Sequence, residues 1–283
     1  MQKLTVFYHP NQSVKNNNSF SPSAGKPELI ANMFLINPFV ELASDWKPVE
    51  RKDFYLAHDK GFVDGILDCK TKNGFNNTSK DVADSLYWTA GSFYNAAKHA
   101  LEHNTVAMSP TSGFHHACFK SAQGFCTFNG LMVAAMKLKK QFNINKIGIV
   151  DFDAHYGNGT DNIISEHELD YIEHLTFGDL IYNGLSDFDK WLRELPQELE
   201  QRFGNCDIIF YQAGADPHID DPLGGFLTTE QMRKRDEVVF KFAKKNNLPI
   251  VWNLAGGYQD PIDKVLQLHY NTLNECLKNY VSE

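Results

Sequence analysis

Short apolar runs alternate along the chain with longer stretches of helical periodicity. Residues 3–8, 105–109, 146–150, 171–175, 207–211 and 249–254 are short and rich in β-branched, aromatic or other apolar side chains, so each reads as a strand. Residues 27–35, 57–67, 80–103, 129–142, 187–203, 228–246 and 260–281 carry apolar positions at helical spacing. Thr78, Ser79 and Asp81 supply capping signals at the start of the long third stretch, and Thr228 with Gln231 fits a capping box. Residues 9–27 and 74–79 are polar and read as loops. Strand and helix alternating across short turns predict an α/β fold, with a mostly parallel central sheet and helices on both faces. No linker interrupts the pattern, so residues 1–283 are expected to form a single domain.

Composition narrows the class. The chain is 42% hydrophobic and 22% charged, without a low-complexity tract, as a globular protein should be. No apolar run approaches the roughly 18 residues of a membrane span, so no membrane partner is expected. The N-terminus reads as a first strand and not as a signal peptide, which makes the cytoplasm the default location. A formal net charge of −8 argues against a sequence-independent grip on nucleic acid. Its first reading is plain solubility, as in many acidic proteins, and it fits a basic ligand such as a lysine-rich tail or a polyamine only loosely. Cys69, Cys118, Cys126, Cys206 and Cys276 are scattered, with no C-x-x-C, which is the usage of a reducing compartment and not of a disulfide scaffold or a thiolate zinc site.

The candidate chemistry lies in the loops that follow strands. After the apolar run 146–150 comes Asp151-Phe-Asp-Ala-His-Tyr-Gly-Asn-Gly-Thr160. In open α/β sheets, ligands bind beyond the C-terminal ends of strands. Asp153 and His155 stand at i and i+2, so in extended chain they point the same way and suit a divalent metal; Asp151 shares that parity and can stand behind them. Asp216, beyond the strand 207–211, can supply a third ligand, and three N/O ligands leave a position for water, as a catalytic zinc site requires. His218, Asp220 and Asp221 are rivals by type, but Asp216 sits closest to the strand end. His115 and His116 follow another strand and can serve as an acid–base pair, with Asp151 and Asn158 as candidate partners. Tyr258 follows Gly256 and Gly257, where a phenol can donate to a developing oxyanion. Four strand ends thus aim polar groups at one edge of the sheet.

Five of these motifs, in this order, resemble the zinc-dependent histone deacetylase family: Ser112-Gly-Phe-His-His-Ala117, Gly124-Phe-Cys-Thr-Phe-Asn-Gly130, the Asp151–Thr160 stretch, Gly214-Ala-Asp-Pro…Asp221-Pro-Leu-Gly-Gly225 and Leu254-Ala-Gly-Gly-Tyr258. The resemblance is to the bacterial-type, class II-like branch and implies an arginase/deacetylase-like fold. It implies Zn²⁺ on Asp153, His155 and Asp216, with His116 as general base and acid, His115 paired to Asp151 as an electrostatic partner, and Tyr258 holding the oxyanion. It also implies a K⁺ site near the metal that uses Asp151 and the backbone around Asp153 and His155. The implied reaction is hydrolysis of an acyl amide, giving a carboxylate and a free amine, with an acyl-lysine protein or peptide as substrate. Gly124 and Phe125 would form one wall of the substrate tunnel and Tyr182 the other. Leu223 stands where a Glu marks polyamine-selective members, so a polyamine substrate is disfavoured. Tyr156 replaces a second His that the family often has, and Asn158 replaces an Asp of some members, leaving His116 a weaker partner. Other readings are an acetylpolyamine or small-amide deacetylase, an arginase-like manganese hydrolase, which the His pair and Gly-Gly-Tyr oppose, and a non-catalytic acyl-lysine binder.

Overall fold

The structure, a computed structural model, describes residues 3–281; the outermost residues of the expected domain and its first strand, Met1, Gln2, Ser282 and Glu283, lie outside the described residues. The chain runs β1 (Leu4–Val6), α1 (Lys26–Phe34), β2 (Val40–Leu42), α2 (Arg51–Phe54), α3 (Lys60–Leu67), α4 (Lys80–His103), β3 (Val106–Ser109), α5 (Gly130–Gln141), β4 (Ile147–Asp151), α6 (Asn158–Glu166), β5 (Ile172–Thr176), α7 (Phe177–Tyr182), α8 (Phe188–Phe203), β6 (Ile208–Gly214), α9 (Thr229–Lys245), β7 (Ile250–Ala255) and α10 (Asp263–Tyr280).

The strands form one seven-stranded sheet in the order β2-β1-β3-β7-β6-β4-β5, with every pairing parallel. Alternation along the central strands feeds a core on each face. Val150, Tyr211 and Trp252 pack with Trp191, Leu195, Phe240 and Leu273 from α8, α9 and α10. Ile149, Phe210 and Val251 pack on the other face with Phe93, Ala97, Leu131 and Ala135 from α4 and α5. A sheet covered on both faces needs strands that are apolar on both sides, and β6 is buried along its whole length. Truncating a ring such as Phe210, which is fully buried, would cost about 3–5 kcal/mol. Among the described residues no helix is long and apolar enough to cross a membrane.

The site is positioned by strand order. β3, β7, β6 and β4 are consecutive neighbours in the sheet, and their C-terminal ends carry the four loops singled out above. Just below those ends a polar row crosses the sheet in register: Ser109 opposite Asn253, Asn253 opposite Gln212, and Gln212 opposite Asp151. All four are fully buried.

Several elements differ from the sequence expectation. The helix expected from residue 57 begins at Lys60, because the Asp59 carboxylate caps it by accepting from Phe62 N. The stretch ending at Thr160, read as loop, turns helical at Asn158. Its Asn-Gly-Thr start has poor helix propensity, and tertiary contacts override it: the Asn158 and Asn162 side chains both bond back to the His115–Phe119 segment. The edge strand β2 and the short helices α2 and α7 are too brief to show a period.

Candidate metal centre and acid–base site

Asp153 and His155 leave β4 together, and Asp216 leaves the neighbouring β6. One ligand atom from each lies within 4.8 Å of the others. His155 Nδ1 stands 3.0 Å from Asp153 Oδ1 and 2.9 Å from Asp216 Oδ2. One imidazole proton cannot satisfy two carboxylates, whereas a cation between them can. Asp216 Oδ2 is accordingly a buried oxygen with no hydrogen bond among the described residues, since its contact with His155 lacks hydrogen-bond geometry. Backbone amides help to hold the carboxylates: Asp216 Oδ1 accepts from Ala154 N at 3.2 Å, and Asp153 Oδ1, besides facing the His155 ring, accepts from His155 N at 2.9 Å. Gly256 permits the approach. Its φ is +49°, and a Cβ there would come within 2.2 Å of Asp216 Cγ. Two carboxylates, one imidazole and no thiolate fit a zinc ion that keeps an open position.

The electrostatics agree with a site built for a cation. Asp153 and Asp216 push the His155 imidazole up to about 11. Burial, followed by the charge of Asp153, pushes Asp216 up to about 7. Burial opposes ionisation of Asp153, yet His115 and His155 hold it below the usual carboxylate range.

The histidines stand beside this group, with rings 4.1 Å apart. His115 Nδ1 donates to Asp151 Oδ2 at 2.7 Å, and His116 Nδ1 donates to Asn158 Oδ1 at 2.7 Å. Their environments differ. Burial would lower His115, but Asp151 and Asp153 outweigh it and set its pKa at about 9. Burial and then the charge of His115 lower His116 to about 4. Asp151 is held at about 2 against burial, chiefly by His115, and its Oδ1 accepts from Gln212 Nε2 at 2.8 Å and Asp153 N at 3.2 Å.

Gly124, with φ +56°, passes so close to His116 that a Cβ would lie 2.4 Å from its Cδ2. Phe125 follows in the same left-handed region at φ +61°, a conformation a Phe holds only where its surroundings impose it. Its ring lies 5.9 Å from that of Tyr258 and 5.1 Å from that of Phe20. The Tyr258 amide donates to Asp221 Oδ2 at 2.7 Å, and burial beside Asp153 and Asp216 raises the phenol pKa. Leu223 is half-exposed on the Asp221 turn, its amide bonded to Asp221 Oδ1. Tyr182 ends α7 with 87% of its surface exposed.

The rival ligands have other partners. Asp221 holds the Tyr258 and Leu223 amides, and His218 bonds Thr229 Oγ1 at 2.8 Å and the Asp220 amide at 3.1 Å. Sequence reasoning missed three contributors. Lys26 is fully buried and donates through Nζ to Gly256 O; a lysine at a helix start gives no sign of that. Gly178 lets the β5–α7 turn lie against the His155 backbone, where a Cβ would meet His155 C at 2.0 Å. Gln212, the last polar residue of an apolar strand, was the one legible signal.

Comparison with known proteins places this geometry. A family model described as the histone deacetylase domain matches residues 25–173 and 182–273. Histone deacetylase 2 of Arabidopsis thaliana is 29% identical over 190 residues, which cover 60% of this chain and 49% of that protein. An uncharacterized protein of Picosynechococcus sp. is 26% identical over 287 residues, covering 93% of this chain and 95% of that protein. A probable deacetylase of Methanothermobacter thermautotrophicus is 26% identical over 201 residues, covering 61% of this chain and 59% of that protein. The chain thus spans about half the length of the Arabidopsis relative and nearly all of the Picosynechococcus one. Since the family model matches most of the chain, and its motifs converge on one edge of the sheet, the chain belongs to the histone deacetylase family.

Proposed function

We propose that the chain is a zinc-dependent amidohydrolase that removes an acetyl or other acyl group from lysine side chains of a protein or peptide. The observation that carries this reading is the convergence of Asp153, His155 and Asp216 within 4.8 Å of one another, beside two histidines whose Nδ1 atoms are held by different partners. Zinc held by those three residues would supply Lewis acidity to the scissile carbonyl and make water a stronger acid.

The protein groups then divide the proton work. His116 donates a hydrogen bond from Nδ1–H to Asn158 Oδ1, which leaves Nε2 free to take a proton from the attacking water and pass it to the leaving amine. His115, paired with Asp151, keeps positive charge next to that transfer. The Tyr258 hydroxyl donates to the oxygen that gains negative charge. Phe125, packed against Tyr258 and Phe20, excludes water from one wall of the approach. Leu223 offers a cationic polyamine no charge partner, and this supports acyl-lysine over polyamine substrates.

The test is turnover of lysine peptides bearing acetyl, propionyl, butyryl and longer acyl groups, set beside N-acetylated polyamines. Peptide turnover lost in both Tyr258→Phe and Asp216→Ala supports the reading. Polyamine turnover alone keeps the chemistry and overturns the role of Leu223. Zinc-loaded protein that binds acyl-lysine peptides without hydrolysing any of these amides would overturn catalysis.

A further inference from the structure

Arg235 is a fully buried charged side chain that the chemistry above does not use. It reaches from α9 to the strand ends that deliver the metal ligands. Nη1 donates to Phe152 O at 3.1 Å and to Gly214 O at 2.9 Å. Phe152 immediately precedes Asp153, and Gly214 stands two residues before Asp216. Nε donates to Asp236 Oδ1 at 2.8 Å, and Nη2 stands 2.8 Å from the same oxygen. Asp236 in turn accepts from the Tyr211 hydroxyl of β6, and its Oδ2 accepts from Thr272 Oγ1 of α10 at 2.6 Å.

These contacts fall where the sheet stops tying the two ligand-bearing strands together. The register of β4 with β6 runs to Asp151 opposite Gln212, and Phe152 N then donates to Gln212 O at 3.0 Å. Beyond that bond the two chains still touch: a Cβ on Gly214 would come 2.5 Å from Phe152 O and 2.6 Å from Asp153 Cα. Two buried carbonyls facing one point repel each other and need a donor. A guanidinium nitrogen carries two N–H bonds in a fixed plane and can serve both. Fastening α9 to the sheet would not require this, since apolar side chains can do so without burying a charge.

We propose that Arg235 is a positioning residue that fixes the gap between Asp153 and Asp216: its guanidinium clamps the outgoing chains of β4 and β6 so that the two carboxylates meet one metal ion. Asp236 neutralises and aims the guanidinium but reaches neither carbonyl. The metal-binding part of this proposal rests on the zinc reading above; the clamp on the two chains does not. The Ala154 amide reports on the clamp directly, because it donates to Asp216 Oδ1 across that gap.

The test uses the full chain labelled with ¹⁵N. In the metal-free protein the Ala154 amide should be protected from solvent exchange in the wild type and should lose that protection in Arg235→Gln, while the Phe210 amide in the middle of β6 keeps its own. Zinc affinity, read by competition with a chelator, should weaken by about 10- to 100-fold in Arg235→Gln. Arg235→Lys keeps the charge without the planar fork and should fall between the two. Asp236→Asn leaves both carbonyl contacts in place, so it should lower the urea midpoint while the folded protein keeps the wild-type zinc Kd. A merely structural pair would lower stability in both variants and change zinc affinity in neither. Wild-type Ala154 protection or wild-type zinc Kd in Arg235→Gln would overturn the proposal. So would an equal loss of zinc affinity in Asp236→Asn, which would mark a general defect of the core. If the wild type binds no zinc, the zinc reading fails while the Ala154 exchange still decides the clamp. If Arg235→Gln does not fold, Arg235→Lys carries both readouts, and wild-type values in either would overturn the proposal.

Discussion

Lys26 and Gly256 are 230 residues apart in sequence, and the buried ammonium of one donates to the carbonyl of the other. The pairing ties the start of α1 to the loop that delivers Tyr258. It also sets a positive charge near Asp216, Asp153 and Asp221. Burial lowers the lysine pKa to about 8, and the three carboxylates keep it from falling further. Lys26→Met should leave a buried carbonyl without its donor and so cost about 1–3 kcal/mol. Urea titration reads the stability. A drop in kcat larger than the drop in folded fraction would show that the Tyr258 loop has also lost its position.

The buried carboxylates of Asp153 and Asp216 oppose one another when no metal ion lies between them. Asp216→Asn should therefore make the zinc-free protein slightly more stable while abolishing tight zinc binding. In the wild type, zinc should raise the thermal midpoint in proportion to the logarithm of its excess over Kd. Calorimetry of both proteins with and without a chelator tests the sign. A zinc-free variant less stable than wild type would argue that Asp216 is mainly structural.

Gly124→Ala places a methyl group where a Cβ lies 2.4 Å from His116 Cδ2, at a φ of +56° that L side chains avoid. Either His116 or the turn must move. Activity should fall by about 100-fold, since small misplacements of a catalytic group are costly, while the zinc content stays at wild-type level. Metal analysis beside steady-state kinetics separates this outcome from a general folding defect.

His58 should make the fold acid-sensitive. Its ring is buried, accepts from Asn129 N at 2.9 Å, and contacts Cys118 O at 2.9 Å. Burial lowers its pKa to about 4. The unfolded chain takes up this proton near pH 6.5 and the folded chain only near 4, so the contribution is complete above pH 6.5. It is lost as the pH falls from 6.5 toward 4, by about 3 kcal/mol in all. His58→Gln should flatten the urea midpoint across that window relative to wild type; an unchanged slope would overturn the assignment.

The fold was legible because most of its strands are short, mainly apolar runs and its helices are periodic, as in β6, whose one polar residue is Gln212, and α4. The loops at the strand ends were legible because polar residues interrupt those runs, as Asp151 and His155 do after Val150. The His115–Asp151 and His116–Asn158 contacts join residues already singled out as possible partners. Lys26 and Gly178 were not legible, since each acts across a long sequence separation with no local periodicity or capping to mark it. Helix α6 escaped for a related reason: its side-chain contacts with the His115–Phe119 segment outweigh a poor local propensity.

The row Ser109, Asn253, Gln212 and Asp151 lies flush across neighbouring strands. Sliding any one of these strands by a single residue would turn its polar member into the greasy packing of the opposite face and break the line. Register is thus checked from within: a slipped strand would bury a polar side chain in an apolar layer, at a cost, in the same strands that carry the candidate metal centre.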